Sequence, residues 1–349
     1  MVEQLRVTRL FLWANSGCNA RCRMCSIWGE RAGKLLSAAE VGTMVPEWAR
    51  IGIKRVILCG EPLMHPEFEA ICLAIRGGTI KLDVLTNGFL LEKHAEVVAR
   101  SCEVLQVSLD GPPEVHNRTR GRHDAFDRLS RGIARLRAIG SRVEVDARCA
   151  VHRLNCRHLR ATVAAARSIG VRTLSFSGTD LHNEEAFRRA GQLTPGYVSE
   201  LRPDSADLSA LTTEVEGLIE QHAADFERGF LSDSPADLRR GLVDYYRAMI
   251  GETPMPIPQC NAPWTSVVVE YDGTVRPCFP MSAYGNLANS GSLTAVINSP
   301  RARAHRAALD VATDPTCLNC VCQTVITERA VHHWKNDPQA PSWTTWVRP

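Results

Sequence analysis

No stretch of this 349-residue sequence is long and apolar enough to span a bilayer, and its first residues lack the apolar run of a signal peptide. Those absences exclude a helical membrane protein and point to a cytoplasmic setting. Charge of one sign is scarce too. A formal net charge of +3 with no Lys/Arg block gives no footing for nucleic acid or another acidic partner. A composition of 44% hydrophobic and 23% charged residues is ordinary for a globular protein. The most telling absence is a single cysteine. "GCNARCRMC" (17–25) places Cys18, Cys22 and Cys25 in one loop and supplies no fourth thiol there. A structural zinc or a complete iron–sulfur cluster normally takes four protein ligands, so three leave a coordination position open for chemistry. In a reducing compartment, 13 cysteines in spaced clusters argue for metal rather than disulfides.

The first half of the chain alternates strands and helices. Strand patterns fall at 6–14, 54–58, 81–85, 103–109, 142–151 and 171–177. Between them lie a helix opened by the capping box "SAAE" (37–40) and helices near 91–101, 125–139 and 157–169. Six such strands predict parallel βαβ units, in a barrel or a doubly wound sheet. Either arrangement puts its site at the C-terminal ends of the strands. The cysteine loop, "CGEPLMHP" (59–66), "TNG" (86–88) and "SLDG" (108–111) all fall there.

On these residues the chain resembles the radical S-adenosylmethionine (SAM) enzymes. In that family a Cys-x3-Cys-x2-Cys loop after strand one holds a [4Fe–4S] cluster, and SAM fills the open iron position. The resemblance covers strands one to six, about half the chain, and implies a partial (βα)6 parallel barrel. It assigns Cys18, Cys22 and Cys25 to the cluster, and Gly60, Glu61 and Pro62 of "GEPL" to the SAM amino-acid end. Met24, Asn87, Ser108, Asp110 and Arg148 are the further candidate cofactor contacts, Arg148 being open also to substrate. Two residues depart from the family pattern. Met24 replaces a common aromatic, and Cys59 stands where a glycine is usual; as a small buried hydrophobe Cys59 needs no role.

Residues 178–258 read as a helical connector, with a strongly periodic stretch at 211–231 and a Pro-rich linker at 252–259. Beyond it stand Cys260, Cys278 after a hairpin signal at Asp272-Gly273, and the pair Cys317 and Cys320. By spacing alone these four suit zinc or a second cluster. Their pattern resembles the Twitch subdomain, a shortened SPASM extension, which implies a small Cys-rich hairpin and helix domain with one auxiliary [4Fe–4S] cluster. The expected domains are 1–178 (partial barrel), 179–258 (connector), 259–335 (auxiliary cluster) and 336–349 (tail). The histidines of "HNE" (182–184) and "VHHW" (331–334) lack a second ligand pair and read as ordinary side chains.

The family's chemistry implies SAM, two [4Fe–4S] clusters, an external electron donor such as flavodoxin or ferredoxin, and hydrogen abstraction from carbon. With strand one expected near residue 6, no leader-binding domain is expected before it, and the expected substrate is a small polar molecule: a sugar, aminocyclitol or nucleoside intermediate. The expected outcome is epimerisation, with Cys322 returning the hydrogen. The alternatives are dehydrogenation of a secondary alcohol, modification of a ribosomal peptide, or a non-catalytic iron–sulfur electron carrier.

Overall fold

The structure, a computed structural model, describes residues 5, 7–29, 35–184 and 191–324. The "VHHW" histidines and the expected tail lie outside the described residues. The chain divides into two compact units, one of residues 1–107, 127–145 and 263–309, the other of 108–126, 146–262 and 310–349.

The first unit is built on a sheet ordered β4-β3-β2-β1-β7-β8-β9. Its strands are β1 (Arg9–Trp13), β2 (Arg55–Leu58), β3 (Lys81–Thr86), β4 (Val104–Ser108), β7 (Ser266–Glu270), β8 (Thr274–Arg276) and β9 (Gly285–Asn286). Neighbours from β4 to β7 pair in parallel, with Leu10 opposite Val56 and Val267. Every residue of β2 is buried, as a strand covered on both faces requires. Ser37 and Glu40 form the expected capping box at the head of the helix Ala38–Ile51, and Gly52 closes it in the left-handed region.

One feature departs from a detached auxiliary domain. The hairpin foreseen at Asp272-Gly273 is present as antiparallel β7 and β8, but β7 also extends the parallel sheet along the far edge of β1. The sequence "SVVVE" explains this. Val267, Val268 and Val269 are all buried, so both faces of that strand need cover, which a free-standing hairpin cannot give.

The second unit holds the parallel pair β5 (Glu144–Val151) and β6 (Thr173–Gly178), with Asp146 opposite Thr173 and Val151 opposite Gly178. The connector is helical, but its long helix runs over Ser205–Gln221 and not 211–231. A reciprocal Asp204–Asp207 capping box starts it early, and His222, outside helical φ/ψ, ends it; its ring bonds Asp225 at 2.8 Å. Two tyrosines fasten the strand ends. The Tyr246 hydroxyl donates to the Val151 carbonyl (2.5 Å) and accepts from the Thr179 amide (3.0 Å). The neighbouring Tyr245 hydroxyl donates to the Thr179 carbonyl (3.1 Å). These two parallel blocks of strands and helices are the parts of the expected partial barrel.

Candidate functional site

In the first unit the chain leaves β1 at Trp13 and enters the cysteine loop. Trp28 closes that loop, its indole N–H donating to the carbonyls of Cys22 (3.3 Å) and Cys25 (2.8 Å). Cys22 is buried, and Cys18 and Cys25 are partly exposed. Burial, followed by the charges of Glu61, Cys22 and Cys25, pushes the Cys18 thiol far above its usual range. Thiols in such an environment favour a cation among them, and the positive core of an iron–sulfur cluster would reverse that shift. Among the described residues no group of three or more His, Cys, Asp or Glu is closed round a single-ion position. The case for a cluster therefore rests on the donor chemistry and the spacing.

The loops after β2 and β3 meet the cysteine loop. Glu61 is 1% exposed, and its carboxylate accepts from the Thr86 hydroxyl (2.7 Å) and the Asn87 amide (2.8 Å). Its carbonyl accepts from Asn15 Nδ2 (3.2 Å). Asn87 in turn donates through Nδ2 to Asn19 Oδ1 (2.8 Å) and lies 3.7 Å from Cys18 Sγ. The Glu61 side chain, expected to face the SAM amino group, thus fixes the 86–88 loop, while Asn87 reaches the cysteines. Gly60 has φ +79°, and a Cβ there would fall 2.4 Å from Trp13 Nε1, so only glycine fits. Trp13 Nε1 and Asn15 Oδ1 are buried without a hydrogen-bond partner. Three thiols, a glycine cradle and two orphaned polar atoms at one strand edge fit a cluster carrying a polar cofactor. Met24 and Pro62 are both buried.

Four further candidates lie in the second unit. Ser108, at the end of β4, is half-buried. Asp110 is fully buried, accepting from the Ala150 amide (3.0 Å) and pairing with Arg120 at 2.5 Å. One oxygen is held by the Ala150 amide and the other lies beside the Arg120 guanidinium, so Asp110 is tied to its own unit.

The other two candidates there, Arg148 and Cys322, stand with the C-terminal thiols. Asn261 donates to the Thr324 carbonyl (2.8 Å) and Gln259 to the Gln323 side chain (3.2 Å), which brings Cys260 to the 317–322 knuckle. The Cys317 amide is capped by Asp314 (3.0 Å), and the Cys322 amide bonds Cys320 Sγ (3.3 Å). Burial first, then the charges of Asp314 and Cys260, push Cys317 up to about 12. Cys322 moves the other way, to about 7, through its hydrogen bond with Cys320 and the Arg148 charge. Cys278 follows β8 and belongs to the first unit. Arg148 Nε donates to Ser177 Oγ (3.1 Å). It lines a cavity of ≈ 80 Å³ together with Asp233, Arg240, Tyr245 and Cys320. Sequence reasoning did not single out Asp233. It lies before a Ser-Pro-x-Asp cap, where a carboxylate reads as turn chemistry.

Two family models match the chain: the radical SAM superfamily over residues 15–180 and an iron–sulfur cluster-binding domain, SPASM, over 260–321. A probable GTP 3',8-cyclase of Methanococcus maripaludis is 31% identical over 143 residues, 40% of this chain and 48% of that protein. AlbA of Bacillus subtilis, a protein of antilisterial bacteriocin subtilosin biosynthesis, is 24% identical over 294 residues, covering 81% of this chain and 58% of its own. The chain thus spans about half the length of the curated relatives it matches. Among solved structures, Streptococcus suis SuiB bound to S-adenosylmethionine aligns with TM-score 0.63 at 15% identity, over 91% of this chain and 73% of that one. AnSMEcpe with bound AdoMet aligns with TM-score 0.63 at 18% identity, over 97% and 94%. Both likenesses show the fold.

Proposed function

The chain belongs to the radical SAM superfamily and carries a SPASM-type iron–sulfur domain, and on that premise we propose that it abstracts a hydrogen atom from a carbon of a small polar substrate and inverts that carbon. Its cofactors are SAM and [4Fe–4S] clusters, and among the described residues no helix is long and apolar enough to cross a membrane. Cys18, Cys22 and Cys25 hold one cluster, and Cys260, Cys278, Cys317 and Cys320 the other. Gly60, Met24, Pro62, Asn87 and Ser108 are the residues we assign to SAM. When bound to the reduced cluster, SAM would supply the 5′-deoxyadenosyl radical needed for hydrogen abstraction from carbon.

The observation that carries the inversion is the place of Cys322. Its sulfur accepts from the Arg148 guanidinium, and Arg148 lines the cavity. The S–H bond is weaker than the C–H bond it re-forms, so hydrogen transfer to a carbon radical runs downhill. The resulting thiyl is restored by one electron from a low-potential flavodoxin or ferredoxin and one solvent proton. A second reading, a peptide substrate, is favoured by SuiB bound to precursor peptide SuiA and by anSMEcpe with bound Cp18Cys peptide. Turnover in deuterated water tests the proposal. Inversion places one deuterium at the reacting carbon, and Cys322→Ala keeps 5′-deoxyadenosine formation but loses the inverted product. A product two mass units lighter without solvent label means oxidation instead. Turnover of a precursor peptide alone would establish the second reading.

A further inference from the structure

Deepening that reading, and resting on it, we propose that Asp233 anchors the substrate by accepting a hydrogen bond from an ammonium or hydroxyl group inside the cavity that Arg148 lines from β5. Asp233 is 7% exposed, and one carboxylate oxygen, Oδ2, accepts from the Phe176 amide at 2.7 Å. The other oxygen has no hydrogen-bond partner among the described residues, yet the side chain lines the cavity. The Arg148 charge offsets part of the cost of burying this carboxylate, and a donor entering the cavity would offset more.

Size and neighbours narrow the donor. The cavity, ≈ 80 Å³, has room for several waters and is only partly enclosed, so it admits a polar head of a substrate. Gly178 lines it, and a Cβ there would meet the Tyr245 ring at 2.9 Å, so Tyr245 packs directly on the strand end. Asp237 is committed elsewhere, bonded to the Ser234 hydroxyl at 2.6 Å and to Arg240 at 3.2 Å. Asp233 presents a carboxylate to the cavity, and Arg148, which also donates to Ser177, presents a guanidinium to it. A carboxylate and a guanidinium together suit a vicinal amino alcohol, whose ammonium meets Asp233 while its oxygen meets Arg148.

Burial pushes the Asp233 carboxyl up to about 7, against the opposing pull of the Phe176 amide and the Arg148 charge. Ammonium binding needs the ionised form, so affinity rises as pH climbs through that value. The other groups facing it are Arg148 on β5 and Asp237 on its own segment, with Arg240, Tyr245 and Cys320 round the same cavity.

Ethanolamine, with glycolate as the anionic control, is the probe, titrated by calorimetry into anaerobically reconstituted protein with SAM. Ethanolamine binding is expected to strengthen about tenfold from pH 6 to 8, following the ionised fraction. Asp233→Asn should weaken it at least tenfold and flatten the profile, with Asp233→Glu restoring part of it. Binding that ignores pH, tighter binding of glycolate, or equal binding by Asp233→Asn overturns the proposal. The pH series uses wild-type protein, so a poorly folding variant does not block the test. 5′-deoxyadenosine formation is measured on the same preparation. Its absence defeats the radical SAM reading, whereas failed binding beside intact SAM cleavage defeats the anchor alone.

Discussion

Reduced, reconstituted protein in which Cys18, Cys22 and Cys25 are all replaced by Ala is expected to form 5′-deoxyadenosine only at background level. The reason is electrostatic as well as coordinative. In the wild type, burial and the charges of Glu61 and the neighbouring thiols hold Cys18 protonated in the absence of a cation. A positive cluster core is what makes that loop stable with its thiolates ionised, and without the thiolates nothing there holds iron. Trp28 clasps the loop through backbone carbonyls alone, so the loop should keep its path in the variant. Chromatographic assay of 5′-deoxyadenosine reads the loss. Turnover above background would remove this loop from the chemistry.

The second large effect is expected at the other set. Replacing Cys260, Cys317 and Cys320 by Ala should lower iron from about eight to about four per chain, one [4Fe–4S] cluster's worth, and abolish product while 5′-deoxyadenosine still forms. The backbone bond from Asn261 to Thr324 still joins this segment to the knuckle when the thiols are removed, although the Ala262 and Cys322 amides lose their sulfur acceptors. Elemental analysis of protein purified without oxygen gives the count. Zinc held by this set, or iron unchanged in the variant, would contradict the assignment.

Much of the fold was legible because it follows local rules. The six parallel strands carry apolar runs bounded by glycines, and Ser37 with Glu40 marks a helix start. The cysteine loop, Gly60 and the 86–88 turn were legible as residues at strand ends. Their connections were not. That Glu61 spends its carboxylate on Thr86 and Asn87 depends on how two loops fold over each other, which no spacing records. Asp110 sits in a plausible ligand position, but its partner Arg120 lies ten residues on, at the far end of a short helix. The pairing of β7 with β1 joins residues more than 250 apart. "SVVVE" signalled burial on both faces without naming the neighbour. Asp233 was invisible for the same reason: only packing against Phe176 turns a turn-like aspartate into a buried acceptor.

The central claim is that three thiolates leave one iron for SAM. Electron–nuclear double resonance of the reduced protein with SAM labelled by ¹⁵N at its amino group tests it most directly. The account predicts a strong nitrogen coupling to the cluster, absent in the Cys18, Cys22 and Cys25 variant and retained when Cys260, Cys317 and Cys320 are replaced. A reduced cluster that shows no coupling to labelled SAM would contradict it.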